Sequence, residues 1–175
     1  NCYDKSDLYK LYDNLFAEYL HYQTDSALSC VCKMSILITD KNDAAHKNEL
    51  IIKKSEVYGL MGMYNEAGEL LKSIDKSILD KNLLNYYYRT YRAYYGWLAD
   101  YTIGDNEKKK YLLKTKLYRD SIIITTDNEI DMGIVEAERY TINGRPDSSL
   151  VLLNTLLHKS YLHILPFHPY YPDLK

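Results

Sequence analysis

The sequence predicts an all-α protein, a stack of about four antiparallel helical hairpins, and three observations predict it. The chain has only seven Gly and four Pro in 175 residues. Pro166, Pro169 and Pro172 all lie within the last ten positions, so a long interior is free of helix breakers. Through that interior, apolar residues recur at helical spacing. Third, Gly62-Met63-Tyr64-Asn65-Glu66-Ala67-Gly68-Glu69-Leu70-Leu71 reads as a helix end, a tight turn and a helix start. Gly62 can take the left-handed conformation that closes a helix, and the small Ala67 lets the next helix press close.

Taken in order, Lys5 to Tyr22 carries Leu8, Leu11, Tyr12, Leu15, Tyr19 and Leu20 at helical intervals, with Ser6 and Asp7 available as caps. After Gln23-Thr24, Asp25 can cap a second helix through Ala27, Leu28, Val31, Met34 and Ile38. The second hairpin starts near Ala44 with Leu50, Ile51, Val57, Tyr58 and Met61, then continues from Asn65 to Ile74. The third opens with Leu83 to Tyr101, turns at Ile103-Gly104-Asp105-Asn106, and returns over Lys108 to Thr126. The β-branched run from Ile122 to Thr126 has no second strand pattern to pair with, so it is read as helical or frayed. The fourth hairpin is Glu129 to Ile142 followed by Ser148 to His158. Between them, Asn143-Gly144 stops one helix and Pro146 sets the first turn of the next.

The size suits one domain with a core that needs no disulfide or metal. A net charge of −2, from 22 basic and 24 acidic residues, gives no broad surface for a polyanion, so this segment is not expected to bind nucleic acid directly. No run of about 18 apolar residues occurs, so none of it is expected to span a membrane. Tyr is abundant, 20 residues against two Phe and one Trp. It suits helices that are half core and half surface, because a large ring is buried while the hydroxyl keeps a partner. Cys30 and Cys32 point roughly 200° apart on a helix and cannot share a metal, so with Cys2 they are read as small core fillers. The first residue is Asn1 rather than Met, which suggests a processed or cut chain.

Enzyme signatures are absent. There is no P-loop, no Gly-x-Gly-x-x-Gly, no Gly-x-Ser-x-Gly and no His-Glu-x-x-His. His158, His163 and His168 are five apart, a spacing that rotates successive side chains away from one another. Glu136 and Glu138 are two apart and face different ways. The sequence therefore predicts no catalysis, no cofactor and no metal.

The candidate binding face lies on the first helix of the third hairpin. Leu84, Tyr88, Tyr91, Tyr95 and Leu98 form an apolar stripe, widened by Tyr87, Tyr94 and Tyr101. Asn85, Arg89, Arg92 and Gly96 fall on the remaining arc, and with the neighbouring Tyr88 ring they are the predicted partner-binding residues. Guanidinium forks bind carboxylates in pairs, so an acidic side chain or a C-terminus of a peptide is the natural ligand of such a face. A solvated face with both Arg paired to nearby acids is the alternative.

Aligning the turns places Ala27, Ala67 and Ser149 at the same small position early in each second helix, with the missing member near Lys108 or Lys109. Gly62-x-Tyr64-x-Glu66-Ala67, with Tyr58 upstream and Leu71 and Ile74 downstream, resembles the centre of a tetratricopeptide repeat, although Ser55 stands where that family often has Gly. Asp25-Ser26-Ala27-Leu28, the Tyr-rich 85–101 helix, Tyr118-Arg119-Asp120-Ser121 and the Asn143-Gly144 turn further resemble the extracytoplasmic repeat region of transcriptional regulators from Bacteroidetes. The resemblance implies a right-handed α-solenoid over residues 1–160 whose first helices line a concave surface. It also implies a periplasmic sensing region that binds a protein or peptide, in a protein that continues into a transmembrane helix, a coiled coil and a DNA-binding end. None of those last three parts is present. The Pro and aromatic stretch of residues 161–175 departs from the pattern and is expected to be extended or poorly ordered. A structural scaffold that assembles with another chain, in an oligomer or in the cytoplasm, is the competing class.

Overall fold

The computed structural model describes the backbone of residues 4–38 and 43–164, and side chains in those ranges as far as residue 159. The described residues form eight α-helices and one short 3₁₀ turn, Lys76–Ile78, with no strand. The helices are α1 (Lys5–Tyr19), α2 (Thr24–Leu37), α3 (Ala44–Leu60), α4 (Tyr64–Lys72), α5 (Lys81–Tyr101), α6 (Asp105–Thr125), α7 (Glu129–Ile142) and α8 (Pro146–Ile164). The β-branched run at Ile122 closes α6 as helix. The last helix extends beyond the predicted end at His158, and the remainder of the Pro and aromatic stretch, 165–175, lies outside the described residues.

The chain divides into two compact units, 1–125 and 126–175. In the first, α1 pairs with α2, α3 with α4 and α5 with α6, while α2 packs on α3 and both α3 and α4 pack on α5. In the second, α7 pairs with α8. Local chemistry explains the turns. Gly62 sits at φ +79° and Gly144 at φ +70°, the left-handed conformation that closes a helix without a Cβ clash. The Met63 N–H bonds the Tyr58 carbonyl at 2.8 Å, and the Arg145 N–H bonds that of Tyr140 at 2.9 Å. Pro146 then opens α8, where its missing N–H costs nothing.

Caps differ from expectation at the first hairpin. Asp4 precedes α1 and Gln23 precedes α2, neither with a side-chain cap bond, and Asp25 lies inside the first turn of α2, where its charge suits the helix dipole. Met63 before α4 likewise makes no side-chain cap bond, whereas Asp43, Asp80 and Asn128 accept from the N–H groups of His46, Leu83 and Ile130.

The equivalent small positions are buried in all three helices where they were placed: Ala27 and Ala67 at 0 % exposure and Ser149 at 5 %. The fourth is not at Lys108 or Lys109, which are exposed. Between α5 and α6, aromatic rings fill the interface instead of a small residue. Tyr91 stacks on Tyr118 with centroids 4.7 Å apart and planes at 4°, and Tyr95 contacts both Tyr118 and Tyr111. Ser55 is fully buried and donates to the Ala67 carbonyl at 2.8 Å, which pins α3 to α4 where a glycine would only permit close approach.

Phe16, Leu20, Val31, Met34, Leu50 and Val57 join in one core cluster, and Ile52, Leu71, Ile74, Tyr87 and Tyr91 in a second. Two expectations need correction. Cys32 is exposed while Cys30 is buried, because residues two apart on a helix cannot both face α1. Tyr101, assigned to the widened apolar stripe, is 72 % exposed and lies at the end of α5.

Candidate functional site

In the 1–125 unit, the first helices of the three hairpins line one groove of about 750 Å³. From α1 and the turn after it come Asp13, Phe16 and His21. From α3 come Lys53 and Glu56, and from α5 come Tyr86, Arg89, Arg92 and Trp97. An α-helix repeats every 3.6 residues, so Lys53 and Glu56 on α3 share a side, as do Tyr86, Arg89 and Ala93 on α5. That pattern turns one polar stripe of each helix inward.

Polar groups in the groove are bonded across helices. Lys53 Nζ donates to Asp13 Oδ1 at 2.6 Å and pairs with Glu49 Oε1 at 3.2 Å. The same ammonium lies over the Phe16 ring at 4.8 Å, a cation–π contact. Tyr9 donates to the other Glu49 oxygen at 3.1 Å, and Tyr86 donates to Glu56 Oε2. Burial pushes the Glu56 carboxyl above its ordinary range, while the Tyr86 hydrogen bond and the charges of His21, Lys53 and Arg89 draw it part of the way back. Burial, followed by the Glu56 charge, pushes the Tyr86 phenol well up.

A carboxyl whose folded pKa is raised contributes stability below its unfolded value, near about 4.3, and loses that contribution as pH rises through the folded value. Glu56→Gln keeps an acceptor for Tyr86 and removes the ionisation. Its thermal midpoint is expected to exceed that of the parent at neutral pH, with the gap closing toward acid. Melting curves across that range check this, and a gap that widens toward acid refutes it.

Of the sequence-predicted residues, Arg89 and Arg92 line the groove. Asn85 turns the other way: its amide donates to the Ile122 carbonyl at 3.3 Å and Thr125 Oγ1 at 3.0 Å on α6, and its oxygen accepts from Arg89 Nε at 2.8 Å. Asn85 therefore ties α5 to the end of α6 and bonds Arg89. Tyr88 packs against Tyr87 and Tyr118 on the α6 side, and Gly96 stands beside open space without lining the groove. Sequence reasoning missed Asp13, His21, Lys53, Glu56, Tyr86 and Trp97. Only the spacing of Glu49 and Lys53, four apart on one helix, signalled a polar stripe on α3.

Residues 1–163 match the model of the SusR N-terminal TPR domain. The chain belongs to that family. No curated protein and no solved structure matches it. As a SusR N-terminal TPR domain it is a helical-repeat interaction domain of a family that is generally non-catalytic. Among the described residues no helix is long and apolar enough to cross a membrane.

Proposed function

We propose that this SusR N-terminal TPR domain is the periplasmic sensing region of a Bacteroidetes transcriptional regulator, and that it recognises a protein or peptide whose acidic group docks on Arg89 and Arg92. The observation that carries this reading is the convergence of α1, α3 and α5 on a groove holding two guanidiniums beside Trp97 and Tyr86. A guanidinium carries five N–H donors, so Arg89 can keep its Nε bond to Asn85 and still offer its terminal nitrogens to a carboxylate, while the aromatic rings beside it supply apolar area. The chain acts without a cofactor and leaves DNA contact to other parts of the regulator. In the full-length reading frame, a leader upstream and a transmembrane helix with a DNA-binding motif downstream are the expected companions.

Arg89→Ala with Arg92→Ala is expected to weaken binding of an acidic-peptide library by about 10- to 100-fold, since a charge-assisted hydrogen bond contributes about 1.5–3 kcal/mol. Fluorescence anisotropy reads the affinity, and circular dichroism confirms that the variant is folded. Unchanged affinity for every bound peptide would abandon this reading. One observation favours the scaffold alternative: α8 exposes Leu150, Val151 and Leu157 at 60, 68 and 54 %.

A further inference from the structure

We infer that the outward face of α6 is a second interaction surface, separate from the groove, and that it docks on an anionic lipid surface. α6 does not line the groove, and it is apolar on two sides. Its inner side meets α5: Tyr118 stacks on Tyr91, and Ile122 is 1 % exposed. Leu113 stands about 180° and Leu117 about 140° around the helix from Ile122, so both point away from that packing. Leu112, Leu113 and Leu117 are 50, 59 and 52 % exposed, and Ile124 on the same side is 80 % exposed. A globular helix that needed only to cover the core would carry polar residues there.

The charges around these leucines name the occupant. Lys108, Lys109, Lys110, Lys114 and Lys116 are all exposed. Lys109 and Lys116 flank the Leu113 and Leu117 stripe on one side, Lys110 and Lys114 on the other. Lys110 pairs with Glu107, whereas among the described residues Lys108, Lys109, Lys114 and Lys116 form no ion pair. The other acids of α6 are Asp105 in the first turn and Asp120 toward the far end. The stretch 108–117 is therefore basic, on a chain whose net charge is −2. A second copy of this face would set lysine against lysine, and a nucleic acid would take the ammoniums but leave the leucines in water. An anionic bilayer surface satisfies both. Headgroup phosphates take the ammoniums, the lysine stems lie along apolar surface, and the leucines enter the acyl boundary. The contact needs only the outward face, so the ring stack on α5 stays intact.

Flotation of the whole chain with phosphatidylcholine vesicles, and with the same vesicles carrying about a third phosphatidylglycerol, reads the partition. The anionic vesicles are expected to hold the chain at least about tenfold more tightly at low salt, an excess that fades as salt shortens the Debye length. Replacing Lys108, Lys109, Lys114 and Lys116 together by Gln is expected to weaken that binding by at least about 100-fold. Leu113→Ser with Leu117→Ser keeps every charge and is expected to weaken it by about tenfold. All six positions are exposed, and circular dichroism checks that both variants are folded. Equal partition on the two vesicle types, no partition on either, or a lysine variant that partitions like the parent overturns the assignment. Loss with the lysine variant but not with the leucine variant overturns it as well, because adsorption of charge alone needs no leucine. Tighter binding of poly-glutamate than of anionic vesicles gives the face to an acidic protein instead. Arg89→Ala with Arg92→Ala should leave vesicle binding unchanged; a loss there would put the contact at the groove and overturn the α6 assignment.

Discussion

Replacing Tyr91 by Ala is expected to cost about 3–5 kcal/mol of stability, the range for removing a large buried aromatic ring. Tyr91 is 6 % exposed and lies in the second core cluster. Its ring meets Tyr87 edge-on at 4.8 Å, stacks on Tyr118 at 4.7 Å, and touches Tyr94 and Tyr95 at 6.2 and 5.8 Å. Truncation opens a hole that no neighbour can fill, because those rings are held by α5 and α6. Tyr91→Phe keeps the ring and loses only a hydroxyl bonded to Tyr87, for about 0.5–1.5 kcal/mol. Urea unfolding of the two variants measures the difference. A cost below about 1 kcal/mol for the Ala variant would mean that the ring cluster is not what joins α5 to α6.

The second large effect is expected at Gly59, where Ala should cost about 1–3 kcal/mol as an overpacked site. A Cβ at that position would stand 1.9 Å from Cζ3 of the Trp97 ring, a distance no contact tolerates, so either the ring or the helix must move. Tyr64 backs the same indole, with centroids 6.5 Å apart, which limits how far the ring can retreat. The chain contains a single Trp, so intrinsic fluorescence reports this one site. Gly59→Ala is expected to shift Trp97 emission toward that of an exposed indole and to lower the melting temperature. Trp97 also lines the groove, so peptide binding should weaken with it. Gly96→Ala is the control. Nothing lies within 4 Å of its Cβ, and exchanging a helical Gly for Ala stabilises by up to about 1 kcal/mol. Equal behaviour of the two variants would contradict the contact.

The polar groove shows where sequence reasoning runs out. Arg89 and Arg92 were legible because they share one arc of an amphipathic helix, and residues three apart must do so. Asn85 shares that arc less fully: it lies four residues before Arg89, close enough to bond it, yet turned far enough to reach the end of α6. A helical projection ranks residues by angle but is silent on which neighbour stands at each angle, and here α6 claims Asn85 and Tyr88. The acids and the Lys that line the same groove, Asp13, Lys53 and Glu56, sit on α1 and α3, where their spacing alone reads as ordinary solvated surface.

The helices and turns are local consequences of the sequence. Apolar periodicity places α1 to α8, Gly62 and Gly144 supply the left-handed closures, and Pro146 opens the last helix, because each of these depends on the conformational limits of a few adjacent residues. Burial of Ala27, Ala67 and Ser149 follows from the same local logic. Only the tertiary structure decided the pairings: Lys53 with Asp13 across 40 positions, Tyr86 with Glu56 across 30, Gly59 beneath Trp97. Such contacts depend on how one helix is rotated against the next, and that rotation is set by the sum of many packed side chains rather than by any repeat in the chain.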